Sequence, residues 1–158
     1  MEEAERVYIQ VCRKGHLINE AAQFDISANR KFCPSCGSET ILECASCNAK
    51  ITSAGATICS QVVIPAYCCE CGRPFPWTEM AIQAALEFAD SLDALNSQDK
   101  AGLRAAVPDL VNDTVRTPLA ISRMQSLFMK IGKPAAYTLS QILISVLTEE
   151  AKRQLGLT

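Results

Sequence analysis

Residues 33–72 read CPSCGSETILECASCNAKITSAGATICSQVVIPAYCCECG, and the three CxxC pairs in this stretch decide how the first half of the chain folds. The pairs are Cys33 with Cys36, Cys44 with Cys47, and Cys68 with Cys71. Two residues between thiolates let a tight turn aim both sulfurs at one tetrahedral ion, and a residue tolerant of positive φ after the second cysteine completes the turn. Gly37 and Gly72 hold that place in the first and last pairs, and Asn48 holds it in the middle one. Upstream, Cys12 and His16 in CRKGH make a fourth half-site.

Four half-sites make two sites of four ligands. In serial order Cys12, His16, Cys33 and Cys36 hold one ion, and Cys44, Cys47, Cys68 and Cys71 hold the other. A RING-like cross-brace would pair alternate half-sites instead. The intervals favour the serial order: 16 residues separate His16 from Cys33 and 20 separate Cys47 from Cys68, each enough for a hairpin, whereas only seven separate Cys36 from Cys44. Cys59 and Cys69 fall outside the CxxC spacing and are expected to be buried thiols rather than ligands, since unliganded cysteine is a frequent core residue. His16 is the sole histidine, and its offset of four from Cys12 supplies the fourth donor that Cys33 and Cys36 lack.

The donor set points to two zinc ions per chain with a structural role. Both sites have four protein ligands, which leaves no open position for an activated water. With His16 spent on metal, no histidine is left to serve as the base of a nucleophilic triad, and the seven glycines form no phosphate-binding loop. The expectation is therefore a protein without catalytic residues.

All nine cysteines lie between positions 12 and 71 of the 158 residues. With no positive and then apolar leader at the start, they favour metal over disulfides in a reducing, cytoplasmic setting. No stretch has the 18 or more apolar residues that a membrane span needs. Hydrophobic residues make up 49% and the net charge is -2, so the chain should fold and shows no general basic field. Residues 1–77 carry seven Lys or Arg and eight Asp or Glu, a net of -1. A four-thiolate zinc adds about -2 and a three-thiolate, one-histidine zinc about -1. Nucleic acid is thereby disfavoured as a partner, although Arg13, Lys14, Arg30 and Lys31 make a small basic patch.

Beyond the cysteines the apolar spacing becomes that of helices. PFPWTEMAIQAALEFADSLDAL, residues 74–95, reads as a helix capped near Thr78, with Ala81, Ala85, Phe88, Leu92 and Leu95 on one face. Phe75 and Trp77 should pack the metal-bound half onto it, the alternative being an exposed recognition aromatic. A short helix should follow Ser97 and end before Pro108, with Leu103 and Val107 inward. Thr117 and Pro118 open a third, with Ala120, Met124, Leu127, Phe128 and Ile131 on one face and Gly132 as its stop. The last should run from Ala135 to Leu155. Arg116, Arg123 and Lys130 recur every seven residues as a basic stripe, which Lys133 extends; it is either a solvated face or a surface for an acidic partner.

The Cys-x-x-Gly-His start, the CPxCG knuckle, the final CxxCG running into RPFPWTE and the later PDLVNDTVRTPLA resemble a bacterial family, domain of unknown function 2321, over nearly the whole chain. The resemblance implies zinc ribbons with a helical tail, supplies no activity, and assigns Cys69 no role. The resulting expectation is an α+β protein: two consecutive zinc ribbons of small β-hairpins over 1–77 and a helical bundle over 78–158. Its work would be protein–protein interaction, as an adaptor or through self-association of the helical half. The alternatives are a nucleic-acid-associated ribbon protein and a RING-like ubiquitin-ligase module.

Overall fold

A computed structural model describes residues 6–53 and 62–157. The chain divides into two compact units, Met1–Glu79 and Met80–Thr158. Among the described residues the fold is α+β, with a small antiparallel sheet in the first unit and four α-helices that begin at its end.

In the first unit β1 (Gln10–Cys12) lies between β2 (Leu17–Asn19) and β3 (Thr40–Ile41). The strands are two or three residues long, because each is interrupted by a ligand turn. Single antiparallel bridges continue the pattern: Phe32 with Glu39, Glu43 with Lys50, and Tyr67 with Pro74, one flanking each CxxC turn, and Tyr8 with Thr52. The core is Ile9, Val11 and Ile51, all essentially inaccessible, and the Ile9 and Ile51 backbones are joined by a 2.9 Å hydrogen bond. Two buried amides pin the loop between β2 and β3. Gln10 donates to the Arg30 carbonyl and accepts from the Arg30 N–H, both at 2.9 Å. Asn19 donates to the Asp25 carbonyl at 2.7 Å and to Asn29 at 2.8 Å. Of the apolar stretch TICSQVVIPAY, residues 57–61 lie outside those described, and residues 62–67 form no strand beyond the single Tyr67 bridge.

Helix α1 spans Pro76–Asp90, starting two residues before the expected Thr78 cap. Pro76 takes a first-turn position, where a missing N–H costs nothing. Thr78 lies buried in that turn and donates its hydroxyl to the Ala66 carbonyl at 2.7 Å. Ala85 and Ala89 are buried on α1 and Leu95 just beyond it, while Ala81, Phe88 and Leu92 are only half-buried.

Helix α2 spans Ser97–Val111 and opens on a reciprocal capping box of Asn96 and Asp99. It does not end before Pro108 but runs through it. An interior proline costs about 3 kcal/mol. Continuing the helix buries Leu110 and Val111, worth about 1.5–3 kcal/mol each, which decides the matter.

Helix α3 covers Thr117–Leu143 as two segments meeting at Gly132, whose φ of 77° and ψ of 165° are not helical. The expected stop is therefore a one-residue break, with Pro134 opening the second segment. Ala120, Ile121, Met124 and Leu127 are buried, and Phe128 and Ile131 are half-buried. Thr117 is inside the helix, Arg116 preceding it as cap residue, and the Thr117 hydroxyl accepts the Thr114 N–H at 2.9 Å.

The single helix expected over 135–155 is instead two, because the Thr148 N–H is diverted to the Leu110 carbonyl at 3.1 Å. Thr148 then caps α4 (Glu149–Leu155), its side chain accepting from Ala151. The turn so made buries Val146 and Leu147. Of the basic stripe, Arg116 is paired with Asp109 at 3.1 Å and Lys130 with Asp99. Two of its three cations are thus committed within the chain, and the Lys130 ammonium holds the Asp99 carboxyl below the usual range.

Candidate metal centres

The three CxxC turns are built alike. In each, the N–H of the residue after the second cysteine donates to the carbonyl of the first: Gly37 to Cys33 at 2.8 Å, Asn48 to Cys44 at 2.8 Å, Gly72 to Cys68 at 2.9 Å. The first cysteine's N–H in turn donates five residues on, to Ser38, Ala49 and Arg73 respectively. The turn closes only if the intervening residue is left-handed, and φ is 69° at Gly37, 58° at Asn48 and 69° at Gly72. The Cys12–His16 turn has one more residue. Its positive φ, 88°, falls at Gly15, before the second ligand, and the Gly15 N–H donates to the Cys12 carbonyl at 2.8 Å.

These turns gather the eight predicted ligands into two clusters, Cys12, His16, Cys33 and Cys36, and Cys44, Cys47, Cys68 and Cys71, with the donor atoms of each within 4.8 Å of one another. That is the serial grouping; the alternate grouping of a cross-brace is not formed. A tetrahedral ion with bonds of about 2.3 Å to sulfur and about 2.05 Å to nitrogen sets S···S at about 3.8 Å and S···N at about 3.6 Å. The clusters match those spacings. Cys12 Sγ is 3.8 Å from Cys36 Sγ, Cys44 Sγ is 3.7 Å from Cys71 Sγ, and Cys47 Sγ is 3.6 Å from Cys68 Sγ. His16 Nδ1 is 3.5 Å from both Cys12 Sγ and Cys33 Sγ, so Nδ1 is the nitrogen turned to the cluster. A disulfide would need about 2.05 Å. Donor type and separation therefore fit one tetrahedral ion in each centre.

The surroundings of the thiols set how readily each loses its proton. Burial pushes the Cys12 thiol up, with Cys36 and Cys33 adding to it against the N–H groups of His16 and Lys14. The hydroxyl and N–H of Ser38 hold Cys36 down at about 6. At Cys44 burial works upward, but the N–H groups of Ser46 and Cys47 outweigh it and leave the thiol at about 7. Cys47 receives the Ala49 N–H, which favours its thiolate, yet desolvation and the thiols of Cys71, Cys68 and Cys44 push it to about 12. Neighbouring thiolates cannot all ionise at 4 Å from one another until a cation compensates them.

Ligand burial alternates. The first member of every half-site, Cys12, Cys33, Cys44 and Cys68, is buried, while His16, Cys47 and Cys71 are exposed and Cys36 is half-exposed. Cys69 is exposed rather than buried, because the turn of its neighbour Cys68 directs it outward; its thiol donates to Glu70 at 3.8 Å. Cys59 lies outside the described residues. Phe75 and Trp77 are both buried, stacked at 4.7 Å with 16° between planes, so Trp77 is no exposed recognition aromatic. Two supporting residues escaped the sequence reading. Ser38 follows the glycine of its turn, and Gly15 precedes a ligand; the glycine within CRKGH was the available signal.

The family model described as an uncharacterised protein conserved in bacteria, domain of unknown function 2321, matches residues 6–155. Comparison with curated proteins gives no match, and neither does comparison with solved structures.

Proposed function

We propose that this chain, which belongs to that bacterial family, is a protein–protein interaction module whose first unit is a pair of serial zinc ribbons. The zinc is structural, since four protein donors per ion leave no place for a substrate or activated water. Tetrahedral sulfur-rich sites also suit iron; elemental analysis of the purified protein distinguishes the two, with two zinc ions per chain as the expected result.

The observation that carries the interaction role is an apolar loop held by the first centre. Between His16 and Cys33, Phe24, Ile26 and Phe32 are 61%, 72% and 54% exposed. The polar side chains of Gln10 and Asn19 fix the course of this loop, so its exposed aromatics are not a consequence of a missing core. Preorganised aromatic side chains are common interface anchors. Two of the four cations nearby are engaged: Arg13 pairs with Glu39 at 3.2 Å, and Arg30 donates to the carbonyls of Ser27 and Asn29. Their engagement supports an apolar protein partner over a phosphate backbone. Replacing Phe24, Ile26 and Phe32 together by Ser should leave two zinc ions in place. It should remove the proteins recovered with the wild-type chain from its native host, as read by mass spectrometry. Recovery of the same proteins would end this reading.

The nucleic-acid alternative keeps one observation in its favour, the Lys31 ammonium 5.6 Å from the centre of the exposed Phe32 ring. A salt-dependent shift of labelled single strands that is lost on Phe32→Ala would support it. For self-association of the helical unit, a groove of about 480 Å³ between α2 and α3 offers a surface, with Arg123 and Lys130 among its lining residues.

A further inference from the structure

We infer that Trp77 couples the two metal centres: its indole is held by the chain around the second centre's last turn and forms the floor of the turn that carries two ligands of the first. The inference rests on the reading of both clusters as metal centres.

On the first side, Gly15 stands between Cys12 and His16. A Cβ built on Gly15 would lie 2.9 Å from Trp77 Cβ and 3.2 Å from Trp77 Cγ, so the indole is seated directly on the turn's backbone. The same turn brings the His16 N–H to Cys12 Sγ at 3.3 Å, a bond that stabilises the thiolate. Any shift of this backbone moves both ligands.

On the second side, the segments leading into and out of the Cys68–Cys71 turn hold the ring. Trp77 Nε1 donates to the Pro65 carbonyl at 2.9 Å, and its face stacks on Phe75. Phe75 N–H donates to the Ala66 carbonyl at 3.0 Å, and Cys68 N–H to that of Arg73 at 2.9 Å. An ion on Cys68 and Cys71 clamps these two segments together, and with them the indole. Without the ion the clamp rests on a few backbone bonds and the Thr78 hydroxyl bond to the Ala66 carbonyl, and the floor under Gly15 is loosened. The indole therefore favours ion binding at the first centre when the second is filled, and by linkage the reverse.

The sheet offers a rival route, because Ile51 joins Ile9 and, through its N–H, the Leu42 carbonyl at 2.9 Å. A double-mutant cycle separates the two. Full-length protein is titrated with cobalt(II), whose d–d bands differ between a three-sulfur, one-nitrogen centre and a four-sulfur centre, so each is followed by itself. In the Cys71→Ser chain the first centre should still fill, about tenfold or more weakly than in the wild type. In a Trp77→Ala background the same Cys71→Ser change should alter that affinity by less than about twofold. Trp77→Phe keeps a ring over Gly15 but loses the indole N–H, and should give an intermediate coupling; it decides the cycle if Trp77→Ala does not fold. A first-centre affinity untouched by Cys71→Ser overturns the coupling. An equal loss with and without Trp77 assigns it to the sheet and overturns the role of the indole. Absence of metal from wild-type protein would instead sink the underlying metal reading, and is read separately by elemental analysis.

Discussion

Met1–Glu79 and Met80–Thr158 fill their interiors with different materials. In the first, the large buried apolar side chains among the described residues are Ile9, Val11, Ile51, Phe75 and Trp77, and half of what else is buried is the leading cysteine of each half-site. In the second, Leu103, Val107, Leu110, Ile121, Met124, Leu127, Leu139, Leu143, Val146 and Leu147 are all buried among helices, without a metal-ligating cluster among the described residues. Strands of two or three residues bury too little to offset their own ordering entropy. The 15-residue α2 and the first segment of α3, up to the break at Gly132, present continuous apolar faces and do so readily. A unit too small to close on hydrocarbon gathers instead two clusters of donors that could hold metal ions, and the contrast can be tested from either side.

The largest effect should follow removal of metal. Structural zinc contributes about 10–16 kcal/mol in small finger peptides, more than the first unit's apolar core can supply. A strong chelator at neutral pH should abolish the near-ultraviolet signal of Trp77 while leaving most of the far-ultraviolet helical signal. Loss of both together would mean that the two units fold as one. Acid should lead to the same state, because every thiol ligand must shed its proton to bind. Cys36, held at about 6, is the readiest, whereas Cys12 is raised and Cys47 stands at about 12. Metal affinity should therefore fall as pH falls, by about tenfold per unit for each thiol that is protonated in the metal-free centre.

The two clusters of donors were legible because each turn is a local object: its spacing, its left-handed residue and its donors all lie within five residues of one another. Trp77 on Gly15 was not, since that contact joins positions far apart in sequence and carries no periodic signature. The break after Leu143 was hidden by the helical spacing of LSQILISVL, which continues across it. What ends the helix there is a tertiary bond from Thr148 to Leu110, although Thr148 followed by two glutamates was a visible cap signal. The passage of α2 through Pro108 was misread for a similar reason: burial of Leu110 and Val111 outweighed a local rule.

From the other side of the comparison, Leu110→Ala should destabilise the helical unit by about 2–5 kcal/mol, the cost of a cavity at a fully buried site. The zinc content should stay at two per chain. Calorimetry with elemental analysis reads both, and a loss of zinc would show that the metal-bound unit leans on the helical one. The smallest effect should come from Arg123→Glu with Lys130→Glu. The Lys130 pair with Asp99 is replaced by two facing carboxylates at a half-exposed position, a change worth about 1 kcal/mol. Thermal unfolding should shift by no more than that, and a larger shift would make the stripe part of the unit's framework.

The alternation of buried and exposed ligands bears on the kinetics of exchange rather than on affinity. A buried cysteine such as Cys12 or Cys44 sits where no competing donor reaches it without opening the backbone. His16, Cys47 and Cys71 face solvent. An incoming thiol or chelator would therefore meet a bound ion from its exposed side and displace one donor at a time, while the inner sulfurs kept the ion in place. An ion held in such a centre would be expected to exchange by handover, without the protein having to unfold first.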